Sequence, residues 1–341
     1  MDREKQSLRG PVKSVRIETA QFKEQEGELV EEPWFGHTIT FNRDGQIVEQ
    51  VNINPDGSQW RTLNEYTDDG RLLTAKHYDP SGTLSSEIRY IYDLEGKLVA
   101  EQAMTPDGKV SMPVTYSYDD EGRKVKIEEL NFNAGANVLI GIEGTNSSIG
   151  VGDAQRIETR YDTLGEAIEV KVFNAEGALT SRMEITRDAR GNPLEETQYV
   201  GETLPYGPGS PDVCSTEEMV ELSEEQRAEV EAEIARMFAP GAVMSKHIHS
   251  YDEEGRLIES KLTMMGMDAG RQTFAYDEWG NKSEEMSYNE DGSFGTKAIF
   301  TREYDEYGNW TRETVSSASS WDAEFGLSTP VHITRRSITY Y

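Results

Sequence analysis

One short phrase recurs along the chain. It reads YDEEGRLIE from Tyr251, YDDEGRKVK from Tyr118, YDLEGKLVA from Tyr92, YTDDGRLLT from Tyr66, YDEWGNKSE from Tyr276 and YDEYGNWTR from Tyr304. Glycines of this series fall at Gly45, Gly70, Gly96, Gly122, Gly165, Gly191, Gly255, Gly280 and Gly308, with successive gaps of 25, 26, 26, 43, 26, 64, 25 and 28 residues. A weaker series lies about halfway along each unit, at Gly57, Gly82, Gly108, Gly177 and Gly292. A fixed period of this length marks an array of small units, none of which can bury a hydrophobic face alone.

The turn chemistry explains the spelling. Asp or Asn at the first position accepts a backbone N–H two residues on, and Gly at the fourth takes the left-handed conformation that closes a hairpin with a bulge. Pro55, Pro80 and Pro106 stand at the second position, where a fixed φ helps. Between turns the side chains alternate: Val110, Met112, Val114, Tyr116 and Tyr118 share one face, as do Leu84, Ile88, Tyr90 and Tyr92, and Leu179, Met183 and Ile185. Period two means strands with one face buried, and turns this short make neighbours antiparallel. The expected fold is all-β: one antiparallel hairpin meander over 1–341 that curls or folds back to cover its own apolar face. The Tyr of each phrase is expected to form a ladder in that sheet, ring on the inner face and hydroxyl on a polar partner.

Two interruptions exceed the period. Residues 131–154 include NFNAGANVLIGIEGTNSSIGVGD, a loop insertion with a short apolar centre at 138–142, expected to project as a recognition loop or a solvated hairpin extension. Residues 200–247 hold a coil and then a helix over about 223–238. Ser223 and Gln226 form a capping box, Ala239-Pro240-Gly241 ends the helix, and Val230, Ile234, Met237 and Phe238 make one apolar stripe. The stripe is expected to cover a sheet edge or end.

Charge narrows the partners. Lys and Arg total 34 against 63 Asp and Glu, a net charge of −29 that repels nucleic acid and anionic headgroups. An unknown protein or glycan partner and weak cation binding remain open. No apolar run approaches the ~18 residues of a membrane span, and the start MDREKQSLRGPVKSV has no apolar core of a signal peptide. An extracytoplasmic place is expected if a leader was removed, with a cytoplasmic one as the alternative.

Candidate chemistry is sparse. Cys214 is the single cysteine, so it makes no disulfide and no thiolate-rich metal set. His247 and His249 share one face of a presumed strand, a spacing for two zinc ligands if a third came from elsewhere, but they are read, with the isolated His37, His77 and His332, as surface or half-buried strand residues. Acidic turns such as Asp-Glu-Glu-Gly lack the calcium-loop pattern, and no serine-hydrolase, zinc-protease or phosphate-loop motif occurs. Asn146, Asn281 and Asn309 head Asn-x-Ser/Thr sequons. No catalytic, cofactor-binding or metal residue is assigned, and no cofactor is expected.

The phrases YIYDLEGKLV and YSYDDEGRKV resemble the bacterial YD-repeat family, also called Rhs repeats, over about residues 37–315. The resemblance implies a spiral sheet or shell and a protein that is exported or surface-associated. The closing segment YDEYGNWTRETV to ITRRSITYY is similar to that of small secreted members, which implies an end at Tyr341. The function expected on these grounds is a non-enzymatic extracytoplasmic scaffold or binding module. The alternatives are a toxin-associated shell fragment and a carbohydrate-active protein on a β scaffold.

Overall fold

The computed structural model of the chain describes residues 2–130, 139–142, 144–145, 147–150, 154–203, 223, 232, 234–319 and 329–341. These residues are almost wholly antiparallel β, as the alternation predicts; the helical exceptions are α1 (Asp2–Lys5) and a few residues at 232–237. The chain divides into two compact units, one of residues 1–111 with 272–341 and one of residues 112–271.

The first unit contains β1 (Val12–Gln25), β2 (Glu28–Phe41), β3 (Ile47–Ile53), β4 (Gln59–Tyr66), β5 (Leu72–Tyr78), β6 (Leu84–Tyr92) and β7 (Leu98–Met104). β8 (Val110–Tyr118) straddles the division, as does β18 (Met267–Tyr276). The first unit resumes with β19 (Lys282–Tyr288), β20 (Phe294–Tyr304), β21 (Trp310–Ser319) and β22 (Thr329–Tyr340). Its strands pair in the order β7-β6-β5-β4-β3-β2-β1-β22-β21-β20-β19. The junction of β1 with β22 runs from Val12↔Tyr340 to Gln21↔His332. A spiral would carry the first and last strands apart, so this pairing corrects the expected spiral winding. Leu8, Val12, Val15, Ile39, Phe41 and Ile47 form the core beside it.

The second unit contains β9 (Lys124–Glu129), β10 (Leu139–Gly141), β11 (Ser148–Gly150), β12 (Arg156–Tyr161), β13 (Ala167–Phe173), β14 (Leu179–Arg187), β15 (Pro193–Val200), β16 (Val243–Tyr251) and β17 (Leu257–Met264). β8 to β17 pair in chain order except that β10 and β11 form a separate two-stranded sheet. That hairpin belongs to the 131–154 insertion, and its described residues do not simply project. Ile149 is fully buried and Ile142 nearly so, packed in one cluster with Ile157, Val170, Val172, Met183 and Ile185. The physical reason is the broad apolar face of β12, β13 and β14, which needs a cover.

Every glycine of the two series has positive φ, between 78° and 88°. At Asp93 the carboxylate accepts the N–H groups of Glu95 at 2.9 Å and Lys97 at 2.8 Å, and the Gly96 N–H closes the turn on the Asp93 carbonyl. The register shift falls at the Tyr of the phrase, as between Ile91 and Tyr92 or between Ser250 and Tyr251. The displaced Tyr hydroxyl then reaches the first carbonyl of the neighbouring strand: Tyr66 to Ile47 at 2.8 Å, Tyr92 to Leu72 at 2.8 Å and Tyr251 to Pro193 at 2.6 Å. Where Arg187 replaces Tyr, its Nε donates to Ala167 O at 3.0 Å. The ladder thus satisfies a carbonyl that the bulge withdraws from backbone pairing.

Gly122 has φ 78° and nothing near a hypothetical Cβ, so a side chain there meets only backbone strain. Gly122→Val is expected to lose about 1–3 kcal/mol in urea unfolding, while Gly122→Asn loses less because Asn tolerates this region. Equal stability of both variants and the parent would refute the turn assignment.

The second insertion leaves β15 and returns to β16, with Val200 N–H on Ala242 O and Gly241 N–H on Val200 O, both at 2.9 Å. Residues 234–237 are helical, and Phe238 N–H bonds Ile234 O at 3.0 Å. Ile234, Met237 and Phe238 are half-buried and Arg236 is exposed, as the stripe predicts. Ser223 is exposed, whereas Gln226, Val230 and most of the expected helix lie outside the described residues. β15 and β16 have partners on both sides, so they leave no strand edge for the stripe to cover.

Candidate functional site

In the second unit, β15 places Glu196 opposite His247 of β16, and β16 places His249 opposite Ser260 of β17. Residues opposite one another share a face, so these side chains lie on the side of the sheet that carries Ile185 and Met183. Glu196 Oε1 is 3.2 Å from His249 Nε2, and both side chains are wholly shielded from solvent. The His247 ring stacks on His249 with centroids 6.0 Å apart. Ser147 of the insertion lies beside the Glu196 carboxylate and helps to lower its pKa, although its Oγ does not reach hydrogen-bond geometry. Glu196 Oε2 and His249 Nδ1 likewise have no hydrogen-bond partner among the described residues.

Burial alone pushes the Glu196 carboxyl up, but the His249 hydrogen bond, Ser147 and the charges of His249 and His247 together hold it below its ordinary value. Burial lowers the His247 pKa, and the pull of Glu196 does not reverse that. The result is a carboxylate and an imidazole locked together in the interior. Such a pair fixes the sheet to its cover; to act on a substrate it would need an opening.

A cavity in this unit is lined by other residues and by none of Glu196, His247 and His249. It holds about 120 Å³ beneath the insertion, lined by Ile140, Ile142, Ile149, Ile157 and Val170, with Lys126 and Glu128 at one side. A larger recess of about 690 Å³ lies in the first unit, bounded by Asp2, Asp44, Tyr66, Asp68 and Asp69. Burial and the Asp2 charge push the Tyr66 hydroxyl up to about 12.

The remaining sequence candidates are dispersed. His249 is buried, against the expectation of a surface or half-buried residue, while His37, His77 and His332 are half-buried. Burial lowers the pKa of His37 and His77. Among the described residues no group of three or more His, Cys, Asp or Glu is arranged to hold a metal ion. The acidic turns are occupied internally: Asp119 holds Arg123 at 2.7 Å and Asp252 holds Arg256 at 2.7 Å. Asn309 is buried, with its amide donating to Arg9 O and Tyr340 Oη at 2.9 Å each. Asn281 donates to Tyr304 Oη at 3.0 Å. Cys214 and Asn146 lie outside the described residues. The residue that sequence reading missed is Glu196, and a signal existed: Glu195 and Glu196 are consecutive in a strand, so they must point to opposite faces.

No family model and no curated protein matches the chain. Solved structures that align along it include a porin-like protein from Bacteroides uniformis, 12% identical, TM-score 0.33, covering 97% of this chain and 98% of that one. A porin-like protein from Bacteroides vulgatus is 10% identical, TM-score 0.27, covering 95% and 97%. A DUF1329 family protein from Desulfovibrio piger is 9% identical, TM-score 0.22, covering 96% and 86%. Likenesses this distant carry no functional argument. The expected membership of the YD or Rhs repeat family is overturned: no family model matches the chain, and the pairing of β1 with β22 departs from the spiral winding that the resemblance implied.

Proposed function

We propose that the chain is a non-catalytic binding scaffold of the bacterial envelope, working outside the cytoplasm with its strands in water. The observation that supports this reading most is the charge on its strand faces. In the first unit one face of β3 to β6 carries Glu49–Arg61 at 2.5 Å, Glu65–Lys76 at 2.7 Å and Glu87–Arg89 at 2.8 Å. The opposite face carries Gln50, Asn52, Thr62, Asn64 and His77. In the second unit the face turned from the core gathers Arg160, Lys171 and Arg182 around Glu169, each at 3.2 Å.

A strand facing lipid needs an apolar band, and each Lys or Arg placed there costs about 2–4 kcal/mol at the midplane. Neither described face of β3 to β6 offers such a band. No described helix is long and apolar enough to cross a membrane either. Exposed ion pairs add little stability individually, so their regular placement favours solubility and alignment of the strands over strength. Among the described residues the carboxylate–imidazole pair Glu196–His249 is shielded from solvent, which favours binding over catalysis.

The purified chain is expected to stay in the aqueous phase on detergent partition and to give no turnover of glycans, peptides or phosphoesters. Partition into detergent would sink the solvated-sheet reading. Turnover abolished by a single Glu or His substitution would replace it with the carbohydrate-active or another enzymatic alternative.

A further inference from the structure

We infer that the projecting β1–β2 hairpin is the docking element of this scaffold and that it receives a basic polypeptide segment bearing apolar side chains. The inference rests on the scaffold reading and adds its surface and the chemistry of its partner.

β1 and β2 are each 14 residues long and outrun their neighbours. β22 accompanies β1 only as far as Gln21, and β3 accompanies β2 only from Gly36. Residues 22–25 therefore pair with 28–31, and Glu32, Pro33 and Phe35 with Gln21, Ala20 and Thr19, while neither 22–25 nor 28–35 pairs with any other described strand. Most other hairpin tips are polar turns that begin with Asp, Asn or Thr and close on Gly, the Met264–Met267 tip between β17 and β18 being an apolar exception. The β1–β2 tip exposes Leu29 at 51%, Val30 at 40%, Trp34 at 55% and Phe35 at 41%.

The shape is held by a bulge: Thr19 faces Phe35 and Ala20 faces Pro33, so Trp34 has no opposite residue. The apolar surface continues on the sheet. The Phe35 and His37 rings lie with centroids 6.1 Å apart, and His37, Asn52 and Trp60 lie in one row of directly paired residues, with Trp60 45% exposed. Exposed apolar surface rimmed by charge is a mark of protein interaction sites, and aromatic side chains supply most binding hot spots.

Charge identifies the partner. Glu24, Glu26, Glu28, Glu31 and Glu32 stand on the hairpin against Lys23. Lys23 pairs with Glu32 and Arg335 with Glu31, while Glu24, Glu26 and Glu28 have no cationic neighbour among the described residues. Two such tips repel each other, which disfavours self-association, and an anionic lipid surface is repelled likewise. Stacking of a neutral glycan on Trp34 would make no use of the carboxylates. A cationic segment with alternate apolar residues complements both the acids and the aromatic groups, and the open strand edges offer it backbone pairing.

The test uses a labelled synthetic peptide of alternating Lys and Val, its Glu-Val counterpart and a neutral cello-oligosaccharide, measured by anisotropy or calorimetry on the intact chain. The Lys-Val peptide is expected to bind, to weaken with salt, and to lose about tenfold or more in affinity to Trp34→Ser/Phe35→Ser, which keeps every carboxylate. Leu29→Ser/Val30→Ser is a second variant should the first misfold, as circular dichroism would reveal. Unchanged affinity in the folded variants would place binding on the diffuse acidic field and overturn the inference. Absence of peptide binding, equal binding of the Glu-Val peptide, or binding of the oligosaccharide alone would overturn it as well. Failure of the scaffold reading is separate, since turnover or detergent partition by the parent reports on that alone.

Discussion

Glu196→Ala is expected to lose about 3–5 kcal/mol in urea unfolding, because it strips the buried His249 of a carboxylate partner that is itself shielded from solvent. The pair itself contributes less than that figure. Replacing both residues together by Leu should therefore be milder than the sum of the single changes. A single variant within about 0.5 kcal/mol of the parent would mean that the site is wet or open.

The same cluster sets a pH dependence. The Glu196 pKa lies below its ordinary 4.5. The stability it contributes is therefore complete above pH 4.5 and lost as pH falls through the lower folded value. His247 is also lowered, from 6.5, because its burial favours the neutral ring. Its contribution is complete above pH 6.5 and lost as pH falls through its own folded value. Both effects destabilise the fold in acid, in two successive windows. His247→Gln should reduce, without abolishing, the decline that begins near pH 6.5, since His37 and His77 are lowered by burial too; an unchanged profile would show that His247 is solvated.

Ile149→Ala should cost about 2–5 kcal/mol, the range for a large-to-small change at a fully enclosed site. Replacing 131–154 by an Asn-Gly turn should do more. It would uncover Ile157, Val170, Val172 and Met183 together, so the shortened chain is expected to bind a hydrophobic dye and lose cooperative unfolding of the second unit. A shortened chain that keeps the parental unfolding transition would return the insertion to the role of a free loop.

The turns were legible in the sequence because their chemistry is local. Asp93, Gly96 and Tyr92 lie within five residues of one another, and each does there what its side chain permits. The buried insertion was not legible. Its apolar centre at 138–142 is too short to show a period, and the face it covers is supplied by β12 to β14, later in the chain. The pairing of β1 with β22 has no local signal at all, since nothing near Val15 specifies Ile338 as its partner. For the same reason the family resemblance misled: Tyr-Asp-x-x-Gly specifies how a hairpin turns, and any meander built from such hairpins spells it whatever its winding. The Glu196–His249 contact joins residues 53 positions apart, and only the adjacent pair of glutamates hinted that one of them was inside.

The β1–β22 junction also governs when the first unit can be completed. Its two segments are separated in sequence by the whole of 112–271, so β1 must wait for a strand synthesised more than 300 residues later. Contacts this remote slow folding, because the intervening chain must be closed before they give any return. The second unit is continuous and needs no such wait. Once folded, it replaces a long flexible connection with a compact one and shortens the search. An order of assembly is thus written into the connectivity: the inner stretch of chain sets first, and the two ends meet last.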